Sequence, residues 1–351
     1  MQSLKNLDEF RLGDLEAIRI VLRGGSVIDW HRLNFQTEEE IQEFIRVQEF
    51  DPNNPDDQTR IETIRDEAIS YLRRHFDFPI PKPVAQADLA TLLHLASSKG
   101  HRQLCACTIL KTMHIIHHLQ ARELLFMLPI SDQDVFKMVE EKVYRIIGKM
   151  LALGFPITEF IGGRKNKDSL YTKLLSKQET VAAQVYDKLR FRIVTRSESD
   201  LFPVLNYLTQ HLFPFNYIIP GQSANTLLDF WGYCESQPHL RELKGNLQLA
   251  TDLEERIRAV DNRFTASSYR VMTFVVDMPI RLDPQLMKHT PPSAAKLGQV
   301  IFSQTEFQVI DRNTDQANEI GDASHTAYKN RQKNAVMRRL KLGLKDTTSE
   351  H

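Results

Sequence analysis

The stretch Glu306–Lys329, EFQVIDRNTDQANEIGDASHTAYK, decides how this chain is read. Phe307 and Val309 alternate with Glu306, Gln308 and Ile310, the period of two that a pleated strand imposes. Asp311 or Asn313 can then cap a helix start, and the segment continues as a helix. Glu306 lies on the strand; Glu319 and His325 lie beyond it and can turn back toward it. A strand carboxylate facing a second carboxylate and a histidine makes a candidate polar site. An edge strand with a solvated helix is the plainer alternative.

Upstream of this stretch, helix and strand alternate from Gly162 onward. YDKLRFRIVT (186–195) reads as a strand, 199–212 as a helix, 216–219 as a short strand, 239–260 as a charged helix, and SYRVMTFVV (268–276) as a strand. Residues 1–158 differ, being mostly helical. Leu15, Ile18, Val21 and Leu22 outline a helix ending near Gly24-Gly25. Thr37-x-x-Glu40 and Ser131-x-x-Asp134 are helix-start patterns, and long apolar stripes run through 61–72 and 88–127. DPNNPDD (51–57) predicts a connector, and FPIPKPV (78–84) an extended linker. The expected class is α+β, a helical N-terminal half followed by a mixed β-sheet with flanking helices. A basic tail closes the chain over 331–351, with Arg331, Lys333, Arg338, Arg339, Lys341 and Lys345. It reads as a solvated helix end.

Composition bounds the function. With 351 residues, 42% hydrophobic and 26% charged, the chain can bury a sizeable core. Zero formal net charge argues weakly against a generic nucleic-acid binder. Cys105, Cys107 and Cys234 make no disulfide framework. The charged N-terminus lacks a signal-peptide core, and no apolar run predicts a membrane span. A cytoplasmic protein is expected. His114, His117 and His118 with the nearby cysteines invite a metal reading, but no glutamate intervenes as in the metalloprotease motif. A packed or partly exposed helix surface is expected there.

Two groups of residues could carry chemistry. Arg164, Lys165, Lys167 and Lys173 surround Ser169, with Ser169 and Lys173 one helical turn apart. Such a cluster can hold phosphates, although Walker-type glycine spacing is absent. Asp187 and Arg192 share a strand. Asp187 and Glu306 on adjacent strands could together hold a divalent metal. Phosphoryl transfer needs cations on the phosphate oxygens, carboxylates for Mg²⁺ and a positioned nucleophile.

The motifs resemble, in order, those of the RelA/SpoT family of alarmone (ppGpp) synthetases. Ser169, Leu170, Lys173 and Lys165 fit its R-x-K-x-x-x-S-[IL]-x-x-K segment, with Arg164 one residue out of place. Asp187 and Arg192 fit its D-x-x-x-x-R strand. NYIIP (216–220) is similar to its D-Y-I-x-x-P segment, and Tyr269 and Arg270 fit its G-Y-[RQ]-S-[IL]-H strand. Glu306, Gln308 and Val309 fit its E-x-Q-[IV]-R-T strand. Glu319, Gly321, Ala323, His325, Tyr328 and Lys329 fit its closing helix without a gap. The departures are Ile310 for Arg, Thr273 for His, Ser268 for Gly, Asn216 for Asp, Thr326 for Trp, and an insertion near 221–262. The helical part also lacks the His-Asp motif of family members that hydrolyse the alarmone.

The resemblance implies a synthetase-like nucleotidyltransferase domain over 159–330. It implies Mg²⁺-dependent transfer of the β,γ-diphosphate of ATP to the 3′-hydroxyl of GDP or GTP. Asp187 would bind Mg²⁺, and Glu306 would assist the metal or act as base. Arg164, Lys165, Lys167, Ser169, Lys173 and Arg192 would hold phosphates. Tyr269 would stack on the acceptor base beside Arg270, with Gln308, Glu319 and His325 in support. Because Ile310 and Thr273 depart from the pattern, adenine nucleotides or tRNA are alternative acceptors. A catalytically silent nucleotide-sensing or interaction module is the alternative function.

Overall fold

Capping residues open the N-terminal helices. The computed structural model describes residues 5–24, 33–176, 185–245, 247 and 266–341. Helix α1 (Leu12–Arg23) ends where Gly24 takes φ 61°, a left-handed cap. The Thr37 side chain accepts from the Glu40 N–H at 3.3 Å to start α2 (Glu38–Val47). Asn54 caps α3 (Pro55–Phe76), so the connector expected over 51–57 ends earlier, at a proline suited to the first helical turn. Next come α4 (Lys82–Ala85), α5 (Leu89–Ala96) and α6 (His101–Met127), and Ser131 caps α7 (Asp132–Ala152). The FPIPKPV segment is not a linker. Ile80 and Val84 enter the core that α2, α3, α5 and α6 share, because their apolar area is worth more buried than extended in water.

The second half builds the sheet. Strand β1 (Ile157–Arg164) leads through α8 (Lys167–Ser176) to β2 (Leu189–Thr195) and α9 (Leu201–His211). Then follow β3 (Ala224–Asn225), α10 (Phe230–Ser236), α11 (Pro238–Lys244), β4 (Met272–Arg281), α12 (Pro284–Met287) and β5 (Val300–Asp311). Helices α13 (Arg312–Asn318) and α14 (His325–Lys341) complete the described chain. Spatial order is β1-β2-β5-β4-β3, with β2 and β5 parallel and the other pairs antiparallel. The fold is α+β around a mixed sheet.

Several elements differ from expectation. β1 was not foreseen, because its GG pair reads as loop. A Cβ at Gly162 would meet the Tyr144 hydroxyl at 2.7 Å and the Phe191 ring at 2.9 Å, so the glycine lets α7 lie against the strand. Residues 216–219 are a 3₁₀ turn (Phe215–Tyr217) with one bridge, Ile218 to Val276, because flanking prolines limit the ladder. Strand β4 starts at Met272 rather than 268, since the Asn318 side chain takes the Arg270 N–H and C=O. The helix expected after β5 is two helices, broken where Gly321 takes φ 64°. Within the expected helix at 239–260, residues 246 and 248–260 lie outside the described residues, as do much of the insertion at 221–262 and 342–351 of the tail with Lys345.

Alternation gives the sheet two faces. Phe191, Phe274, Phe307 and Val309 point to one face, into a core shared with α1, α7 and α9. Glu306, Gln308, Arg192 and Thr273 point to the other. At the start of β5 this second face is covered by α6: His118 stacks on Phe302 at 4.1 Å and approaches Asp277 at 3.7 Å. His114 and His117 are buried beside it against Tyr217 and Phe50. The HIIHH run is thus packed into an aromatic cluster with Phe50, Tyr217 and Phe302.

Burial pushes His118 down to about 4, and His114 and His117 well below the ordinary histidine range, helped by their mutual repulsion and, at His117, by Arg60. The unfolded chain then binds more protons than the folded one as pH falls through 6.5 toward 4, and stability declines in that window. His118 alone accounts for about 2 kcal/mol between pH 7 and 5. Asp277, which burial pushes up to about 6 against the pull of Arg122, returns roughly 1 kcal/mol over the same interval. Three histidines outweigh one aspartate, so the melting temperature at pH 5 is expected below that at pH 7. Equal values at both would refute the account.

Candidate active site

Lys165 and Asp187 are placed by strand pairing. The Lys165 N–H donates to the Lys188 C=O at 2.8 Å, extending the β1–β2 ladder by one residue. That sets the Lys165 ammonium on the Asp187 carboxylate, to which Lys173 of α8 also donates at 2.8 Å. Burial pushes the Asp187 carboxyl up, but the two lysines outweigh it and hold it below its ordinary value.

Glu306 stands level with Arg190 on parallel β2 and with Val275 on β4. Gln308 donates to its carboxylate at 2.8 Å and Thr273 at 3.3 Å, both to the same oxygen. Burial raises the Glu306 carboxyl, and the charge of Asp187 raises it further. Arg190, the Gln308 hydrogen bond and Lys165 oppose this without cancelling it. Asp187 and Glu306 are therefore near enough for the charge of Asp187 to act on Glu306, and Lys165 bears on both.

The rim comes from later elements. Asp311 accepts from the N–H groups of Asn313 and Thr314 at 3.0 and 3.1 Å, starting α13 against β2 and β5. This brings Asp315 onto the guanidinium of Arg192. Burial raises the Tyr269 phenol, with Arg192 and Arg190 opposing and Glu306 and Glu319 adding. Burial likewise lowers His325 at the start of α14. Lys329, Arg190 and Arg192 reinforce that effect, while exposed Glu319 resists it. Tyr269, Glu319 and His325 thus lie within the field of the cleft. α14 packs on α8, with Gln332 donating to Ser176 at 3.2 Å.

Other expected residues fall differently. Arg164 faces the opposite side of the sheet, paired with Glu140 of α7 at 2.7 Å. It neighbours Lys165 at a strand end, where successive side chains alternate, so it holds no phosphate in this cleft. The Arg270 guanidinium donates to the Thr226 C=O at 3.2 Å, engaged with the β3 side. Ser169 lies in the first turn of α8, its N–H capped by Asn166 at 2.8 Å, and Lys167 is exposed beside it. Sequence reasoning missed Arg190 and Asp315. The alternation in LRFRIVT could have shown that Arg190 shares a face with Arg192. No sequence signal announced that Asp315 would reach a strand more than a hundred residues earlier.

No family model matches the chain, and no curated protein does. Among solved structures it is similar to the small alarmone synthetase 2 of Bacillus subtilis, at 17% identity over 64% of this chain and 97% of that one, TM-score 0.29. It is similar also to small alarmone synthetase 1 of Bacillus subtilis bound to its product pppGpp, at 12% identity over 68% and 97%, TM-score 0.30. A GTP pyrophosphokinase family protein from Streptococcus pneumoniae is similar at 12% identity over 61% and 93%, TM-score 0.27. With TM-scores this low, the likenesses carry no argument of their own, and the functional reading rests on the cleft. No helix among the described residues is long and apolar enough to cross a membrane.

Proposed function

We propose that this chain is a Mg²⁺-dependent pyrophosphokinase that transfers diphosphate from ATP to the 3′-hydroxyl of a guanine nucleotide, GDP or GTP. The reading is supported by the nearness of Asp187, which both Lys165 and Lys173 bond, to Glu306, with Arg190 level with Glu306 and Arg192 level with Gln308 on the adjacent parallel strand. Two carboxylates that repel each other across a cleft are hard oxygen donors, the set that suits Mg²⁺. Asp187, with Glu306 beside it, would hold the ion, which supplies charge neutralisation on the phosphate oxygens.

The protein groups have separable tasks. Lys165, Lys173 and Arg192 exchange their carboxylate partners for phosphate oxygens and hold the donor. Glu306 takes the proton of the 3′-hydroxyl, and its raised carboxyl suits a base working near neutral pH. The 3′-oxygen bonds to the β-phosphorus, the bond from that phosphorus to the α,β-bridging oxygen breaks, and AMP leaves with the electron pair. Tyr269 offers a ring to the acceptor base, a contact tolerant of base identity.

A catalytically silent nucleotide-binding module is the second reading, favoured by Ile310 and Thr273 and by the Asp315 carboxylate already seated on Arg192. The test is incubation of the purified protein with γ-³²P-ATP, Mg²⁺ and, separately, GDP, GTP, adenine nucleotides and deacylated tRNA. Labelled guanine product, lost in Asp187→Asn, is expected. Product only with tRNA or adenine nucleotides corrects the acceptor. Nucleotide binding without product favours the silent module, and neither binding nor product refutes both.

A further inference from the structure

We infer that Arg190 is a polyphosphate-binding residue of this cleft, contacting phosphate oxygens beside Glu306. The inference rests on the reading of the cleft as a nucleotide site. Arg190 lies on β2 two residues before Arg192, on the same face, and parallel pairing sets it level with Glu306. Its charge acts on Glu306, Tyr269 and His325, groups brought from three different segments, so it stands among the residues that define the cleft. Its side chain is exposed and makes no hydrogen bond or ion pair among the described residues.

The neighbouring cations are placed otherwise. Lys165 and Lys173 bond Asp187, and Arg192 bonds Asp315. An incoming oxyanion must displace a protein carboxylate to reach any of these three. At Arg190 it displaces only water, and meets a planar group with five donors suited to bidentate phosphate contact. Arg190 is therefore the first landing point for the donor's phosphates.

The position also bears on the departure at residue 310. Ile310 pairs with Val194, four residues along β2 from Arg190, so this chain carries its extra cation nearer the reacting carboxylate than an arginine at 310 would be.

Calorimetric titration of the full chain with α,β-methylene-ATP and with inorganic triphosphate tests this, using wild type, Arg190→Ala and Arg190→Lys. Both probes are expected to bind roughly tenfold to a hundredfold more weakly to Arg190→Ala, the loss of a charge-assisted contact. Arg190→Lys recovers part of the affinity. The exposed position leaves the melting temperature unchanged; should alanine lower it, Arg190→Gln replaces it in the same titration. In the ligand-free protein, His325 should titrate at higher pH in Arg190→Ala by NMR. Wild-type binding that survives Arg190→Ala within twofold overturns the inference and leaves the proposed function standing. Failure of wild type to bind either probe overturns both.

Discussion

Glu306→Gln is expected to lower the rate of diphosphate transfer by roughly 10²–10⁴-fold, the usual contribution of a positioned general base. The substitution keeps the side chain's shape and removes its capacity to take a proton. The donors from Gln308 and Thr273 converge on one oxygen, so the amide oxygen can still accept both and the strand keeps its neighbours. Burial and Asp187 raise the Glu306 carboxyl, so the folded state disfavours its charge at neutral pH. A neutral isostere relieves that cost, and the melting temperature should stay level or rise while activity collapses. In the metal-free protein the Glu306 carboxyl is expected to titrate above its ordinary value, and Lys165→Ala, which removes an opposing charge, is expected to move it higher still, as read by NMR. Loss of activity in step with loss of folded protein would mean that Glu306 is a structural residue only.

Phe307→Ala is expected to cost about 3–5 kcal/mol of stability, the range for truncating a buried phenylalanine. Phe307 is fully buried and lies 5.4–5.7 Å from the rings of Phe191, Phe213 and Phe274, which come from β2, the turn after α9 and β4. Its neighbours on β5, Glu306 and Gln308, face the cleft, so one strand serves core and chemistry on alternate residues. Urea unfolding should show the midpoint falling, and the remaining folded fraction should keep the wild-type pH dependence. A shift of the pH profile instead, with stability intact, would contradict the assignment of Phe307 to packing.

Much of the site was legible along the chain. The period of two around Phe307 and Val309 put Glu306 and Gln308 on one face, and strand pairing preserved that assignment. Of the residues singled out by pattern and resemblance, Lys165 and Lys173 both bond Asp187, and Arg192 bonds Asp315. Arg164 illustrates the limit. It belongs to the same basic run as Lys165, yet composition does not say which face a strand residue takes, and the ladder turned it to Glu140. The HIIHH run is similar: helical spacing offered a metal site, whereas Phe302 and Tyr217, distant in sequence, made it a buried aromatic contact.

Local chemistry by itself determined the helix starts at Thr37 and Ser131, narrowed the one after β5 to Asp311 or Asn313, and set the alternation of β2 and β5 and the α+β class. Each depends on residues within a few positions of one another, where capping geometry and side-chain period act directly. Tertiary structure alone decided that FPIPKPV packs into a core, that Asp315 sits on Arg192, and that Arg190 stands level with Glu306. For the charges, the physical reason is the parallel pairing of β2 with β5. It joins segments more than a hundred residues apart, and its register, rather than any local preference, fixes which charges stand level with one another.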